Sequence, residues 1–245
     1  METALYLIPV TLGETPVSQV LPPYNREVIL GIRHFIVEEI RTARRFLKQV
    51  ERSIDIDALT FYPMGKHADE ARFSSYLEPL RQGESVGIIS EAGCPAVADP
   101  GADVVAIAQR EGLRVVPLVG PSSILLAVMA SGFNGQSFAF HGYLPIDPSE
   151  RQKRLKQLEG RSQTEDQTQL FIETPYRNGK MIKDVLSACA PSTRFCIAAG
   201  LTTADEYVRT QSVAKWKQQS MPELSKVPTI FAIYAGGRKE GKKKR

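Results

Sequence analysis

A short loop of small residues constrains the fold of this chain more than any other segment. Residues 90–101 read SEAGCPAVADPG, and they lie between an apolar run, 85–89, and a helical pattern, 103–110. A strand that leads through such a loop into a helix is typical of α/β proteins, whose ligands bind beyond the carboxyl ends of the strands. Gly93 lets a ligand approach the backbone closely. The pattern predicts a ligand-binding loop, and the absence of G-x-G-x-x-G excludes the dinucleotide fingerprint.

Strand and helix patterns alternate through the first half of the chain. The expected strands are 3–10, 34–37, 59–62, 85–89 and 113–118, and the expected helices are 25–32, 41–50, 74–80 and 103–110. Alternation of this kind favours a parallel sheet flanked by helices. A further helix is expected to start at Pro121, because proline is tolerated in the first turn.

The second half is richer in strands. The expected strands are 137–140, 168–173, 194–199, 207–212 and 229–234, with helices at 149–158 and 178–190. Closely spaced strands near 195 and 207 favour antiparallel pairing, and hence a mixed sheet. We therefore expect two α/β domains, 1–116 and 117–236, the first sheet mainly parallel and the second mixed. Residues 237–245 are expected to form a disordered basic tail, because they are rich in lysine and glycine and have no apolar face.

Composition points to a cytoplasmic protein. The three cysteines, Cys94, Cys189 and Cys196, are odd in number and lack metal-binding spacing, so we expect a reducing compartment and no metal. No basic-then-apolar leader precedes the first strand, which argues against a secretion signal. Residues 115–146 contain no Asp, Glu, Lys or Arg, but prolines and glycines divide this run. We expect it to form a strand, a turn, a buried helix and a second strand, with no membrane association.

Six motifs, in order along the chain, resemble the tetrapyrrole methylase superfamily, and most closely its ribosomal RNA small subunit methyltransferase I branch. The loop at 90–101 is similar to S-D-A-G-T-P-x-x-S-D-P-G. The other similarities are LIPV at 7–10 to T-P-I-G, EEIRT at 38–42 to E-D-T-R, VPLVGPSS at 116–123 to V-P-L-P-G-P-S-A, FHGYLP at 140–145 to F-x-G-F-L-P, and FIETPYR at 171–177 to F-Y-E-S-P-H-R. They span the chain up to about residue 237.

The resemblance implies a homodimer of two-domain subunits that hold S-adenosylmethionine in a cleft between the domains. The cofactor contacts it implies are Pro9, Ala92, Gly93, Cys94, Val97, Ser122 and Ser123, with Glu173 and Leu201 from the second domain. Small residues suit this task, because methyl transfer from a sulfonium needs alignment and exclusion of water rather than covalent help. The family usually has threonine where Cys94 stands, so we interpret Cys94 as a packing residue.

Two carboxylates are candidates for acceptor chemistry. Glu39 lies where a strand turns into a helix, and Asp99 lies in the loop before Pro-Gly. Either would orient or deprotonate a weakly acidic ribose hydroxyl, with Arg41 as a cationic neighbour that contacts phosphate. The alternative for Glu39 is a favourable position at a helix start, and for Asp99 it is turn closure.

Basic residues form two runs at helical spacing. They are Arg41, Arg44, Arg45 and Lys48, and then Arg151, Lys153, Arg154 and Lys156. Such runs are either solvated helix faces or, together with the basic tail, a phosphate-binding rim. The adjacent Tyr176 and Arg177 are a further candidate pair for contact with the acceptor.

Three functions remain open from the sequence. The first is methylation of a ribose 2′-hydroxyl in ribosomal RNA of the small subunit. The second is methylation of a carbon of a tetrapyrrole, whose carboxylates would also suit the basic groups. The third is a cofactor-binding or ribosome-associated module without catalysis. It is suggested by departures from the family pattern around Glu39, where EEIR replaces E-D-T-R, and around Gly200, where AAGLTT at 198–203 replaces A-R-E-L-T-K.

Overall fold

The structure is a computed structural model that describes residues 2–65 and 72–236. The chain divides into two compact units, Met1–Ser122 and Ser123–Arg245. The basic tail expected at 237–245 lies outside the described residues.

The described residues of the first unit form a parallel sheet. Its strands are β1 Leu5–Ile8, β2 His34–Val37, β3 Thr60–Pro63, β4 Val86–Ile89 and β5 Val115–Pro117, in the order β3-β2-β4-β1-β5. Each neighbouring pair is parallel. The helices are α1 Val17–Val20, α2 Pro23–Leu30, α3 Ile40–Val50, α4 Glu78–Arg81 and α5 Ala102–Arg110. The parallel sheet expected from the sequence is thereby confirmed.

Both faces of this sheet are buried, which explains why its strands are almost continuously apolar. Alternate residues of each strand enter different core clusters, as Leu5 and Tyr6 of β1 do. At position 87 of β4 only glycine fits, because neighbouring side chains fill the space. A Cβ there would lie 2.7 Å from Cδ1 of Ile8 and 3.0 Å from Cδ1 of Phe35.

The second unit contains a mixed sheet, as expected. Its strands are β6 Phe138–Tyr143, β7 Thr168–Ile172, β8 Arg194–Ala199, β9 Tyr207–Ser212 and β10 Thr229–Tyr234, in the order β6-β7-β10-β8-β9. The β6–β7 pair is parallel, and the other pairs are antiparallel. The helices of the described residues are α6 Ser123–Ser131, α7 Pro148–Glu165, α8 Asn178–Ala188 and α9 Val213–Trp216. In the core, Phe195 stacks on Phe231 and meets Trp216 edge-on, and the indole N–H of Trp216 donates to the carbonyl oxygen of Phe195 at 2.9 Å.

The charge-free run at 115–146 folds as β5, α6 and β6. Across the described residues, every helix is too short or too polar to cross a membrane. The helix is less buried than the sequence predicts. Leu125 and Met129, one turn apart on α6, are 52% and 77% exposed, whereas Ala127 and Val128 are buried.

Candidate active site

The predicted ligand loop begins at the carboxyl edge of the first sheet. Ile8 and Ile89 are register partners at the ends of the neighbouring parallel strands β1 and β4, so the segments that follow both strands start side by side. The backbone amide of Val10 donates to the carbonyl oxygen of Gly93 at 2.9 Å and joins the two segments. This is the place where α/β proteins bind ligands.

The 90–101 loop has an unusual backbone. Gly93 has φ +72°, and the two alanines Ala96 and Ala98 also have positive φ, at 65° and 61°. Such angles cost non-glycine residues about 1–3 kcal/mol each and cluster at functional sites. The amide of Ala96 donates to the carbonyl oxygen of Pro100 at 3.2 Å and closes the loop on itself. The loop is therefore a specific conformation rather than a loose connection.

The segment after β5 packs against this loop within the first unit. The thiol of Cys94 donates to the carbonyl oxygen of Pro121 at 3.5 Å. A Cβ on Gly93 would lie 3.3 Å from the same oxygen, and a Cβ on Gly120 would lie 2.3 Å from Cγ of Pro9. The structure thus brings Pro9, Gly93 and Cys94 together, directly beside the segment that ends at Ser122.

The surface of the loop fits a ligand held by backbone groups. Ala92 and Val97 are exposed, whereas Pro9 and Gly93 are buried. Gly93 has contacts so close that a side chain would displace its neighbours. Small exposed residues on a fixed backbone suit the adenosine and methionine portions of S-adenosylmethionine, so the residues present fit this cofactor.

The loop shifts the pKa values of two of its side chains, Asp99 and Cys94. Burial raises the pKa of Asp99, repulsion by Glu91 raises it further, and the hydroxyl of Ser90 partly offsets both effects. Burial, together with the charge of Asp99, also raises the pKa of the Cys94 thiol. A raised pKa makes Asp99 a stronger base than an ordinary carboxylate, and it makes Cys94 a weaker nucleophile.

Glu39 and Arg41 lie at the start of α3. Glu39 is exposed, and it is the residue that caps the helix. Arg41 is also exposed, one position after the first residue of the helix. Both positions leave the side chains accessible to a substrate, and the proposed catalytic roles stay predictions.

Glu91 is a candidate that the sequence analysis missed. Its carboxylate accepts a hydrogen bond from the hydroxyl of Thr42 on α3. Its backbone amide donates to the carboxylate of Glu38 at 3.4 Å. Glu91 therefore joins the start of the loop to the start of α3. A signal was present, because Glu91 occupies the position of the aspartate in the family motif S-D-A-G.

Glu173 of the second unit is held by its own segment. The guanidinium of Arg177 and the backbone amide of Thr174 both donate to its Oε1 at 2.7 Å. The guanidinium carbon of Arg177 lies 5.6 Å from the ring centroid of Tyr176, whose side chain is 75% exposed. The buried carboxylate thus positions a cation that is 25% exposed and an exposed aromatic ring, the pair that the sequence predicted as an acceptor contact.

The remaining cofactor candidates of the second unit occupy distinct positions. Ser123 is the first residue of α6. Leu201 is buried in the turn after β8, where Gly200 has φ +57° and the amide of Thr203 donates to its carbonyl oxygen at 3.0 Å. The proposed cofactor roles of these residues, and of Glu173, stay predictions.

The second basic run does not form a single exposed surface. Arg151 is buried, and its guanidinium donates to Asp184 at 2.7 Å and to the carbonyl oxygens of Pro145 and Ile146. It is therefore a structural residue, and its interpretation as part of a phosphate-binding rim is wrong. Arg154 of the same run points to His141, with Nη2 and Nδ1 at 3.3 Å.

The first basic run is exposed along α3, while Ala43, Phe46 and Leu47 of that helix are buried. Arg44 lies over the ring of Phe61 at 5.4 Å. Across the residues that the structure describes, there is no cluster of His, Cys, Asp or Glu suited to a metal ion.

Comparison with solved structures identifies the fold. The methyltransferase CobJ matches with a TM-score of 0.62 and 14% identity over 95% of this chain and 94% of that one. The cobalamin biosynthetic enzyme cobalt precorrin-4 methyltransferase matches with a TM-score of 0.58 and 14% identity over 94% of each chain. At this identity the likeness shows the fold alone, and it confirms the expected two-domain α/β fold.

The chain belongs to the tetrapyrrole (corrin/porphyrin) methylase family, whose model matches residues 10–216. Proteins named ribosomal RNA small subunit methyltransferase I are similar to it. That of Vibrio cholerae is 27% identical over 86% of this chain and 69% of the relative. That of Xylella fastidiosa is 27% identical over 91% of this chain and 79% of the relative. That of Mesorhizobium japonicum is 37% identical over 54% of this chain and 43% of the relative. These matches confirm the resemblance and the expected enzyme class, an S-adenosylmethionine-dependent methyltransferase.

Proposed function

We propose that the chain transfers a methyl group from S-adenosylmethionine to a ribose 2′-hydroxyl of small-subunit ribosomal RNA. The observation that carries this proposal is the family match over residues 10–216, combined with relatives named for action on small-subunit ribosomal RNA. The exposed basic face of α3 beside the loop supports an acceptor rich in phosphate.

The methyl donor is assigned to the first unit's loops. Pro9, Ala92, Gly93, Cys94, Val97 and Ser122 belong to segments that meet at one edge of the first sheet. The resemblance adds Ser123, Glu173 and Leu201 as further predicted donor contacts. When bound, S-adenosylmethionine supplies a methyl group that is activated by its positive sulfur. The small residues of the loop hold the donor by backbone groups and exclude water.

The acceptor hydroxyl requires orientation and loss of a proton. Asp99 lies within the donor loop and has a raised pKa, so it accepts a proton more readily than an ordinary carboxylate. Glu39 lies at the start of α3 together with Arg41, whose positive charge would hold an adjacent phosphate. We propose that one of these carboxylates positions the hydroxyl, and that Arg41 holds the phosphate beside it.

Transfer of labelled methyl from S-adenosylmethionine tests the function directly. The acceptors are undermethylated small ribosomal subunits and, separately, a tetrapyrrole precursor. We expect the label in a ribose of the ribosomal RNA, located by mass spectrometry of nuclease digests. Label in the tetrapyrrole alone would replace the proposed acceptor, and binding of S-adenosylmethionine without transfer to either would indicate a module without catalysis.

We further propose that the protein acts as a homodimer in the cytoplasm. Leu125 and Met129 form an exposed apolar strip on α6 that a second subunit would cover. Cys94, Cys189 and Cys196 are free thiols, which fits a reducing compartment. Light scattering coupled to gel filtration measures the assembly, and a monomer at micromolar concentration would contradict the dimer.

A further inference from the structure

A cavity of about 1020 Å³ lies in the first unit, beside the start of the 90–101 loop. It is bounded by the segment after β1, by α2 and α3, and by Ser90 and Glu91. Its charged lining residues are Glu14, Arg26, Arg45, Lys48, Arg52 and Glu91. None of the residues proposed to hold the methyl donor belongs to this lining. The cavity is therefore a second feature of the site, next to the donor loop.

Two of its four cations are already engaged. Nζ of Lys48 donates to the carbonyl oxygens of Arg52 and Ile54, at 2.9 and 2.7 Å, and Arg26 forms an ion pair with Glu51. The side chains of Arg45 and Arg52 are exposed and form no ion pair or hydrogen bond with any other described residue. Because Lys48 fixes the backbone of Arg52, it also holds the position from which that guanidinium projects.

The lining indicates which chemical group the cavity binds. Free guanidinium groups suit phosphate, which they bind through two parallel hydrogen bonds. Among the lining residues, all of which the structure describes, the one aromatic side chain is Phe46, and it is buried. A splayed base would need an exposed aromatic platform for stacking. The cavity therefore favours the backbone of a nucleic acid over its bases.

We infer that this cavity binds the sugar–phosphate backbone of the RNA strand beside the methylated nucleotide, and that Arg45 and Arg52 hold its phosphates. The inference rests on the proposed function and adds an anchoring surface outside the donor loop. A strand held here enters next to the donor, because Ser90 and Glu91 line the cavity and Leu12, another lining residue, packs 3.1 Å from the Cβ position of Gly93. Anchoring of this kind contributes to the affinity for the RNA strand, while alignment of the acceptor hydroxyl is left to the residues at the donor loop.

The test removes both free charges. In the double variant Arg45→Gln/Arg52→Gln, binding to undermethylated small ribosomal subunits is measured over a series of salt concentrations. We expect weaker binding and a plot of log affinity against log salt that is shallower by roughly 0.7 for each arginine. The KM for subunits should rise, while single-turnover transfer at saturating subunits and the affinity for S-adenosylmethionine are retained.

The matched control is Arg110→Gln/Lys183→Gln, which removes two exposed cations at α5 and α8 outside the cavity. It should keep the wild-type salt dependence. If wild-type protein methylates subunits and the Arg45/Arg52 variant binds with unchanged affinity and slope, the inference is overturned while the proposed function stands. If that variant instead loses affinity for S-adenosylmethionine, the cavity binds the methyl donor rather than RNA, and the inference is overturned as well. A wild-type chain that neither binds nor methylates subunits would overturn both.

Discussion

The carboxylate of Glu39 accepts a hydrogen bond from the backbone amide of Arg41, with 3.2 Å between Oε1 and nitrogen. The bond satisfies one of the free amides at the start of α3, so Glu39 has a structural task as well as a proposed chemical one. The two tasks are separable. An amide oxygen can accept the capping hydrogen bond, but it cannot take a proton from the acceptor.

Glu39→Gln therefore tests the proposed base. We expect the rate of methyl transfer under single-turnover conditions to fall about 10²-fold, the size of effect typical of a lost general base. Stability should fall only by about 0.3–1 kcal/mol, because the variant loses a favourable charge near a helix N-terminus but keeps the hydrogen bond. Affinity for S-adenosylmethionine should barely change.

A second helix cap provides the matched control. Asp147 caps α7 by accepting hydrogen bonds from the amides of Ser149 and Glu150 at 2.9 Å. Asp147→Asn removes the same charge from the same kind of position and should leave the rate unchanged. Asp99→Asn is made in parallel. If the Glu39→Gln variant transfers methyl at the wild-type rate, Glu39 serves only as a helix cap. If the Asp99→Asn variant is then slow, Asp99 is the base.

Gly93→Val tests the donor loop. Gly93 has a positive φ, and a Cβ there would lie 3.1 Å from Cδ2 of Leu12 and 3.3 Å from the carbonyl oxygen of Pro121. We expect the side chain to move the loop and to lower the affinity for S-adenosylmethionine at least tenfold, measured by calorimetry, with the fold retained by circular dichroism. Gly112→Val imposes similar strain, at φ +68° with no atom nearby, outside the site. Equal affinity in both folded variants would remove Gly93 from the proposed site.

Local sequence patterns predicted much of the fold. The bounds 194–199, 207–212 and 229–234 coincide with β8, β9 and β10, because these strands are short apolar or alternating runs between turn residues. Helix α7 was expected to end at 158 and continues to Glu165. Its last turns are polar and have little apolar periodicity, but Ser162 is fully buried there. That burial depends on tertiary packing, which a local pattern does not contain.

In the candidate site, too, features set by local sequence were predictable and features set by tertiary contacts were not. The 90–101 loop was predictable because its small residues, and the strand and helix patterns on either side of them, are contiguous in the sequence. The burial of Arg151 was not, because its partner Asp184 lies on a different helix. The bond between Thr42 and Glu91 likewise joins segments that are distant in sequence. Spacing along the chain identifies a basic run, but non-local contacts decide which of its members are free.

The buried ion pair of Arg151 and Asp184 should be essential to the second unit. Their side chains are 2% and 14% exposed, and Arg151 also holds the carbonyl oxygens of Pro145 and Ile146. Arg151→Met leaves a largely buried carboxylate unpaired, so we expect a loss of about 3–5 kcal/mol in the free energy of unfolding, measured with urea. Arg151→Met/Asp184→Leu should recover part of it. A loss below 1 kcal/mol in the single variant would contradict this role.

His141 should make stability depend on pH. Its Nδ1 accepts from Nη2 of Arg154 at 3.3 Å, so Nε2 carries the proton and donates to Oε1 of Gln169 at 2.7 Å. Burial lowers the pKa of His141, Arg154 and Arg161 lower it further, and the bond to Gln169 partly offsets them. Below the ordinary histidine pKa of about 6.5, the unfolded chain therefore binds a proton that the folded chain does not.

The free energy of unfolding should accordingly fall as the pH is lowered from 7 to 5, by at most about 1.4 kcal/mol per pH unit from this group. His141→Gln retains polar contacts but cannot titrate, so urea unfolding of the variant should show a weaker loss over that range than the wild type. Arg154→Gln should also weaken the loss, because removal of the neighbouring cation lets the folded chain accept the proton more readily. Identical pH profiles for the wild type and His141→Gln would show that His141 is protonated equally in both states.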